Sequence, residues 1–207
     1  MIGLWVTGAA AVWLVTATLA QHRTRFVAKA AASAGFVLVV ALDPLDDTTR
    51  AALIALGLAL GAVGDLALMG RGEGWFLAGL GAFLAGHVAY AVAFGYDQGA
   101  APARVAGASV AVVLAVVVGR WLRPRLHGPF RVAVPVYIVV ICVMVALAIG
   151  ASSSHPAAAV GAALFAASDL FVARERFVEP ARWNPAVGLP LYYAGQVLIA
   201  VSAVAWS

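Results

Sequence analysis

Eight long apolar runs, separated by short charged segments, constrain this chain more than any other feature. They lie at 2–20, 26–42, 51–69, 75–95, 105–122, 132–151, 157–173 and 186–205. Each approaches the roughly 20 residues a helix needs to cross a hydrocarbon core about 30 Å thick. The breaks between them are short and carry most of the charge, as in QHRTR, DPLDDTTR, RGEG and RERFVEPARWNP. Of 207 residues, 64% are hydrophobic and 11% charged, and mean hydropathy is +1.00. A soluble domain carries about 25% charged residues, so this chain has too little polar surface to cover a water-facing globule. That excludes a soluble enzyme, a disordered regulator and a nucleic-acid module, despite a pI near 9.7. The expected fold is all-α: a polytopic membrane protein with eight transmembrane helices in one transmembrane domain, 1–207.

The first run has no basic residue before its apolar core, so it reads as a span rather than a leader peptide. The positive charges then set orientation. Eleven of the thirteen Lys and Arg residues fall after the odd-numbered runs, from Arg23, Arg25 and Lys29 to Arg174, Arg176 and Arg182. Only Arg50 and Arg104 fall on the other side. The positive-inside rule makes the odd-numbered loops cytoplasmic and puts both termini outside. Cys142, the single cysteine, sits inside an apolar run, which leaves no disulfide framework.

An internal duplication accompanies this pattern. GLALGAVGDLALM (57–69) aligns with GAALFAASDLFVA (161–173), which sets Asp65 against Asp169. GLGAFLAGH (79–87) aligns with GLPLYYAGQ (188–196), which sets His87 against Gln196. The halves are approximately 1–100 and 101–207, and both start on the same side. The expected arrangement is therefore two parallel four-helix repeats about an axis along the membrane normal.

Two acids are embedded, Asp65 and Asp169, each about one turn from the basic end of its run. A charge at the bilayer centre costs roughly 2.5–3.5 kcal/mol on insertion scales, so intramembrane carboxylates are functional candidates. Gly57, Gly61 and Asp65 share one helix face at i, i+4, i+8. Other polar groups fall on faces that can converge with it: Phe83, His87 and Tyr90; Tyr137 with Ile141 and Met144; Tyr192 and Gln196 with Tyr193 beside them; and Lys29 with Ser33. Together they can line one cavity open towards the basic side.

Two carboxyls in a water-restricted site can divide acid and base roles between them. Vinyl-ether hydrolysis needs that division: a proton delivered to the alkene carbon, a stabilised oxocarbenium ion and an activated water. No metal or other cofactor is required. Which aspartate is the acid stays open at this level. A proton-coupled carrier or lipid transporter would also use paired intramembrane acids. A zinc amidase of the ceramidase sort would want about three histidines, and only His87 is embedded.

These segments resemble the YhhN-type lysoplasmalogenase family. The resemblance runs over the whole chain and is strongest in GAVGDLALM, FLAGLGAFLAGHVAYAVAF, ASDLFVARERF and LPLYYAGQVLIAVS. VPVYIVVICVM fits the family's tyrosine-bearing segment. Lys29 resembles the lysine that usually precedes a proline, although Ala30 follows it here. The resemblance implies an integral hydrolase of the bacterial-type cytoplasmic membrane. Its substrate would be a lysoplasmalogen, a single-chain glycerophospholipid with a vinyl-ether tail, cleaved to a fatty aldehyde and a glycerophospho-ethanolamine or -choline. Asp65 and Asp169 would be the catalytic pair. Lys29, His87, Tyr90, Tyr137, Tyr193 and Gln196 would bind substrate, with Lys29 near the head group. Membrane lipids are the other expected partners, and oligomeric state is left open.

Overall fold

The computed structural model describes residues 2–20, 24–42, 45 and 48–204, apart from the side chain of Thr48. Arg23, Asp43, Asp46 and Asp47, read above as loop charges, lie outside the described residues. Eight α-helices follow in order: α1 (Ile2–Leu19), α2 (Arg25–Leu42), α3 (Thr48–Ala67), α4 (Glu73–Gly95), α5 (Ala101–Leu122), α6 (Phe130–Gly150), α7 (Pro156–Phe177) and α8 (Trp183–Val201). A single 3₁₀ turn (Arg123–Arg125) follows α5, and Leu45 makes an isolated bridge to Val204. Among the described residues there is no strand.

Seven of these helices, α1 to α7, are long and apolar enough to cross a membrane. The eighth, α8, is long enough but more polar, because it carries Asn184, Pro185, Pro190 and Gln196. The lipid-facing surface is correspondingly apolar: Trp5, Val105 and Val132 are 77%, 65% and 70% exposed. The protein is an integral membrane protein.

Some helices run further than the apolar runs suggested. α7 continues to Phe177 rather than 173, because Arg174 and Arg176 in its last turn complement the negative helix end. α5 starts at Ala101 rather than 105, with Pro102 in a first turn that needs no proline N–H. Gly72, with φ of 100°, supplies the left-handed residue before α4, and Glu73 then sits at the positive helix end.

Consecutive helices pack as four close hairpins, and α4 with α6, and α2 with α8, join them. In lipid there is no hydrophobic force between helices, so close approach depends on small residues. A Cβ at Gly86 would stand 3.1 Å from the Gly57 carbonyl oxygen, and one at Gly195 would stand 2.8 Å from that of Gly161. These glycines bring α3 against α4 and α7 against α8. Gly3 and Gly35 do the same for α1 and α2, and Gly107 for α5 and α6.

The alternating helices place two kinds of end on opposite sides. The basic end gathers Arg25, Arg71, Arg123, Arg125, Arg174, Arg176 and Arg182. At the opposite end, Arg50 is buried and its guanidinium donates to the Ser202 carbonyl (2.8 Å) and hydroxyl (3.3 Å). Its Nε lies 3.7 Å from Asp97, which also meets His155 at 2.9 Å. Gln98 there donates to the Leu147 carbonyl.

Candidate active site

Three helices converge on Asp65. From α2, the Ser33 hydroxyl donates to its Oδ2 at 2.7 Å and Lys29 Nζ lies 3.1 Å from its Oδ1. From α8, the Tyr192 hydroxyl donates to Oδ2 at 2.8 Å. Asp65 is 2% exposed. A chain of donors backs this arrangement: Tyr90 donates to Gln196 Oε1 (2.8 Å), and Gln196 Nε2 donates to the Tyr192 oxygen (3.2 Å). All these hydrogens point one way, towards the carboxyl. Gly61 leaves the space for Gln196, and Gly57 the space for the Tyr90 ring.

Asp169 sits in a matching set of three helices with different chemistry. The Tyr137 hydroxyl of α6 donates to its Oδ2 at 2.7 Å. From α4, His87 Nε2 lies 3.9 Å from the same oxygen. His87 Nδ1 is 2.6 Å from the Phe83 carbonyl, which can only accept, so that nitrogen carries the hydrogen. Nε2 is therefore a lone pair, buried and without a hydrogen-bond partner among the described residues. Phe165 and Tyr137 pack against the imidazole with ring centroids 4.6 and 5.2 Å away. The Asp169 side chain is 21% exposed, so it is the more open of the two acids.

The two sets share their spacing. Ser33 to Asp65 and Tyr137 to Asp169 each span 32 residues. Each acid is also approached from a further helix: Asp65 by Tyr192 of α8, Asp169 by His87 of α4. Both bonding tyrosines, Tyr137 and Tyr192, follow a helix proline by two residues, Pro135 and Pro190.

The sequence-predicted residues are thus placed as follows. Asp65, Lys29, Tyr90 and Gln196 belong to one network, and Asp169, His87 and Tyr137 to the other. Tyr193 is buried beside Ser33 but makes no hydrogen bond of ordinary geometry. Ser33 and Tyr192, which the sequence places only as possible cavity lining with no role, both bond Asp65 directly. The available signal was spacing: each stands four residues from a predicted site residue, Lys29 or Gln196.

The YhhN family pattern matches residues 24–203. The chain belongs to the YhhN family. Among curated YhhN relatives, the Bos taurus protein named lysoplasmalogenase TMEM86A is 35% identical over 177 residues, which is 82% of this chain and 72% of that one. Its Homo sapiens counterpart is 33% identical over the same shares. A Mycobacterium bovis protein named lysoplasmalogenase is 36% identical over 150 residues, 69% of this chain and 56% of that one. No solved structure matches.

Proposed function

We propose that this YhhN-family protein is a membrane hydrolase that cleaves the vinyl-ether bond of lysoplasmalogens, with Asp169 as general acid and Asp65 as carboxylate base. The unequal surroundings of the two aspartates carry the assignment. Asp65 faces three donors, the pattern a carboxylate accepts. Asp169 accepts one hydrogen bond of ordinary geometry, from Tyr137, while the neighbouring Ser168 hydroxyl donates to the Phe165 carbonyl and His87 turns a lone pair towards it, a pattern that suits a carboxylic acid with a proton to give. The relatives' names supply the bond class, and the more open position of Asp169 suits contact with an incoming alkene.

The steps follow from these positions. Asp169 gives its proton to the β-carbon of the vinyl ether, leaving an oxocarbenium ion on the carbon bonded to oxygen. Asp65 stabilises that cation and takes a proton from the water that attacks it. The hemiacetal then collapses: its hydroxyl returns a proton to Asp169, while Asp65 protonates the departing glycerol oxygen. The products are a fatty aldehyde and a glycerophospho-base, and both aspartates regain their starting forms. The Tyr90–Gln196–Tyr192 chain holds Asp65 in place throughout.

The same reading takes the chain as one transmembrane domain built from two parallel repeats, approximately 1–100 and 101–207, with the basic end in the cytoplasm and both termini outside. The matched 32-residue spacings and the paired glycine contacts support the duplication. Purified protein in detergent should release fatty aldehyde from a vinyl-ether lysolipid and leave its alkyl-ether analogue intact. No aldehyde from folded protein, together with proton-dependent uptake in proteoliposomes, would make it a carrier instead.

A further inference from the structure

The head group needs a site of its own, because Lys29 is already engaged by Asp65. Arg25 stands four residues before Lys29 on the same face of α2, about 6 Å nearer the basic end at 1.5 Å per residue. There it lines a cleft of about 280 Å³ with Thr18, Leu19, Glu175, Arg182 and Pro185. Its lining thus includes two arginines and one glutamate. Glu175 is fixed in position: its Oε2 accepts from Asn184 Nδ2 at 2.6 Å and from the Ala181 N–H at 2.9 Å. Asn184 is itself buried and bonded to Arg174 and the Glu179 carbonyl. The second oxygen of Glu175, Oε1, is left to accept from a ligand.

We propose that this cleft binds the head group, and that it selects a phosphate joined to an ammonium: Arg25 and Arg182 take the phosphate, and Glu175 takes the ammonium. The inference rests on the hydrolase reading above and adds the recognition element to it. The helices that form the cleft also carry the site: Arg25 shares α2 with Lys29 and Ser33, and Glu175 shares α7 with Asp169.

A second cleft of about 480 Å³ at the same end also carries two arginines and a glutamate, Arg125, Arg176 and Glu73. Its floor is aromatic: Phe130 and Phe177 line it and pack with Phe76, with centroids 5.3–6.0 Å apart. Arg176 is spread over two of those rings, 4.8 and 5.7 Å from their centroids.

The test uses purified full-length protein and alkyl-ether lysolipids, which bind without reacting. Four heads are compared: phosphoethanolamine, phosphocholine, phosphate alone and uncharged glycerol. Binding is read by tryptophan fluorescence and, separately, by inhibition of aldehyde release. The two zwitterionic lipids should bind at least about tenfold more tightly than the other two. Arg25→Gln and Arg182→Gln should each raise KM about tenfold with kcat within twofold. Arg25→Lys and Arg182→Lys should recover most of the loss. Glu175→Gln, which still accepts from Asn184 and Ala181, should erase the preference for zwitterions over phosphate alone. Arg125→Gln in the second cleft should leave KM unchanged. Soluble phosphoethanolamine should compete better than inorganic phosphate; equal competition would make the cleft a phosphate site and overturn the proposal. Equal binding of all four heads, or a KM effect at Arg125 and none at Arg25 and Arg182, would overturn it too. Zwitterion-selective binding lost in Arg25→Gln, with no aldehyde released, would uphold the cleft and remove the hydrolase reading instead.

Discussion

His87 and Asp169 face each other at 3.9 Å across the α4–α7 contact, with the imidazole lone pair turned towards the carboxyl oxygen. Nothing else among the described residues bonds that nitrogen. A buried acceptor left without a partner costs about 1–3 kcal/mol, and its placement beside Asp169, the proposed acid, makes its role testable. His87→Phe keeps a ring against Phe165 and Tyr137 and removes the lone pair. It should lower kcat about 10²-fold, leave KM within twofold and alter the pH profile of kcat. The melting temperature in detergent should stay within a few degrees. An unchanged pH profile and kcat would show that His87 only packs.

The carboxyl pair itself is tested by isosteric change. Asp65→Asn and Asp169→Asn should each cut aldehyde release by about 10²–10⁴-fold while the protein still elutes as a folded species. The two should differ in stability. Asp65→Asn strands the Lys29 ammonium and should lower the melting temperature, whereas Asp169→Asn, with one bond at stake, should leave it nearly unchanged. Full turnover in either variant would take that residue out of the reaction.

Gly57 gives a packing test that reaches the chemistry. A methyl group there collides with the Tyr90 ring, the first donor of the chain leading through Gln196 and Tyr192 to Asp65. Overpacking of this kind costs about 1–3 kcal/mol. Gly57→Ala should therefore lose both stability and activity. Tyr90→Phe should lose about 1 kcal/mol, the worth of one hydrogen bond, and restore most of the stability when combined with Gly57→Ala only if the clash is with the hydroxyl end. Because the crowding is at the ring carbons, the double variant should be at least as unstable as Gly57→Ala, as read by thermal melts.

At the opposite end, Arg50→Met should destabilise without touching the reaction. It removes charge-assisted bonds to Ser202 worth about 1.5–3 kcal/mol each. The melting temperature should fall, and kcat per folded molecule should hold. A fall in kcat with an unchanged melting temperature would place Arg50 in the reaction path.

How much of this was legible beforehand varied with the cost each residue carries. Asp65 and Asp169 stood out because a carboxyl in an apolar run is expensive and so needs a reason. Ser33 and Tyr192 carry no such penalty; a serine or tyrosine in a membrane helix is common, and only the fold shows what it bonds. Lys29 reads as a contact for substrate from the family resemblance; its ion pair with Asp65, 36 positions away, is a separate contact that only the fold shows. Arg50 read as a loop charge. Its burial depends on Ser202, 152 positions further on, a separation that no local pattern encodes. The helix bundle followed from the apolar runs. Helix α8 is the weakest match, since residues that build the site dilute its hydropathy.

The buried Arg50 cluster ties together parts of the chain that are distant in sequence, linking α3 and α8 directly and reaching the ends of α4 and α7 through Asp97 and His155. At the basic end, the side-chain bonds around Arg174, Glu175, Glu179 and Asn184 stay within one connection, and no more than 10 positions separate any two partners. Across the bundle, that end is joined instead by rings, with Phe76 of α4, Phe130 of α6 and Phe177 of α7 in mutual contact. The two ends are therefore fastened by different forces: directional charged bonds that a single substitution at Arg50 can break, and ring packing in which each side chain has more than one neighbour.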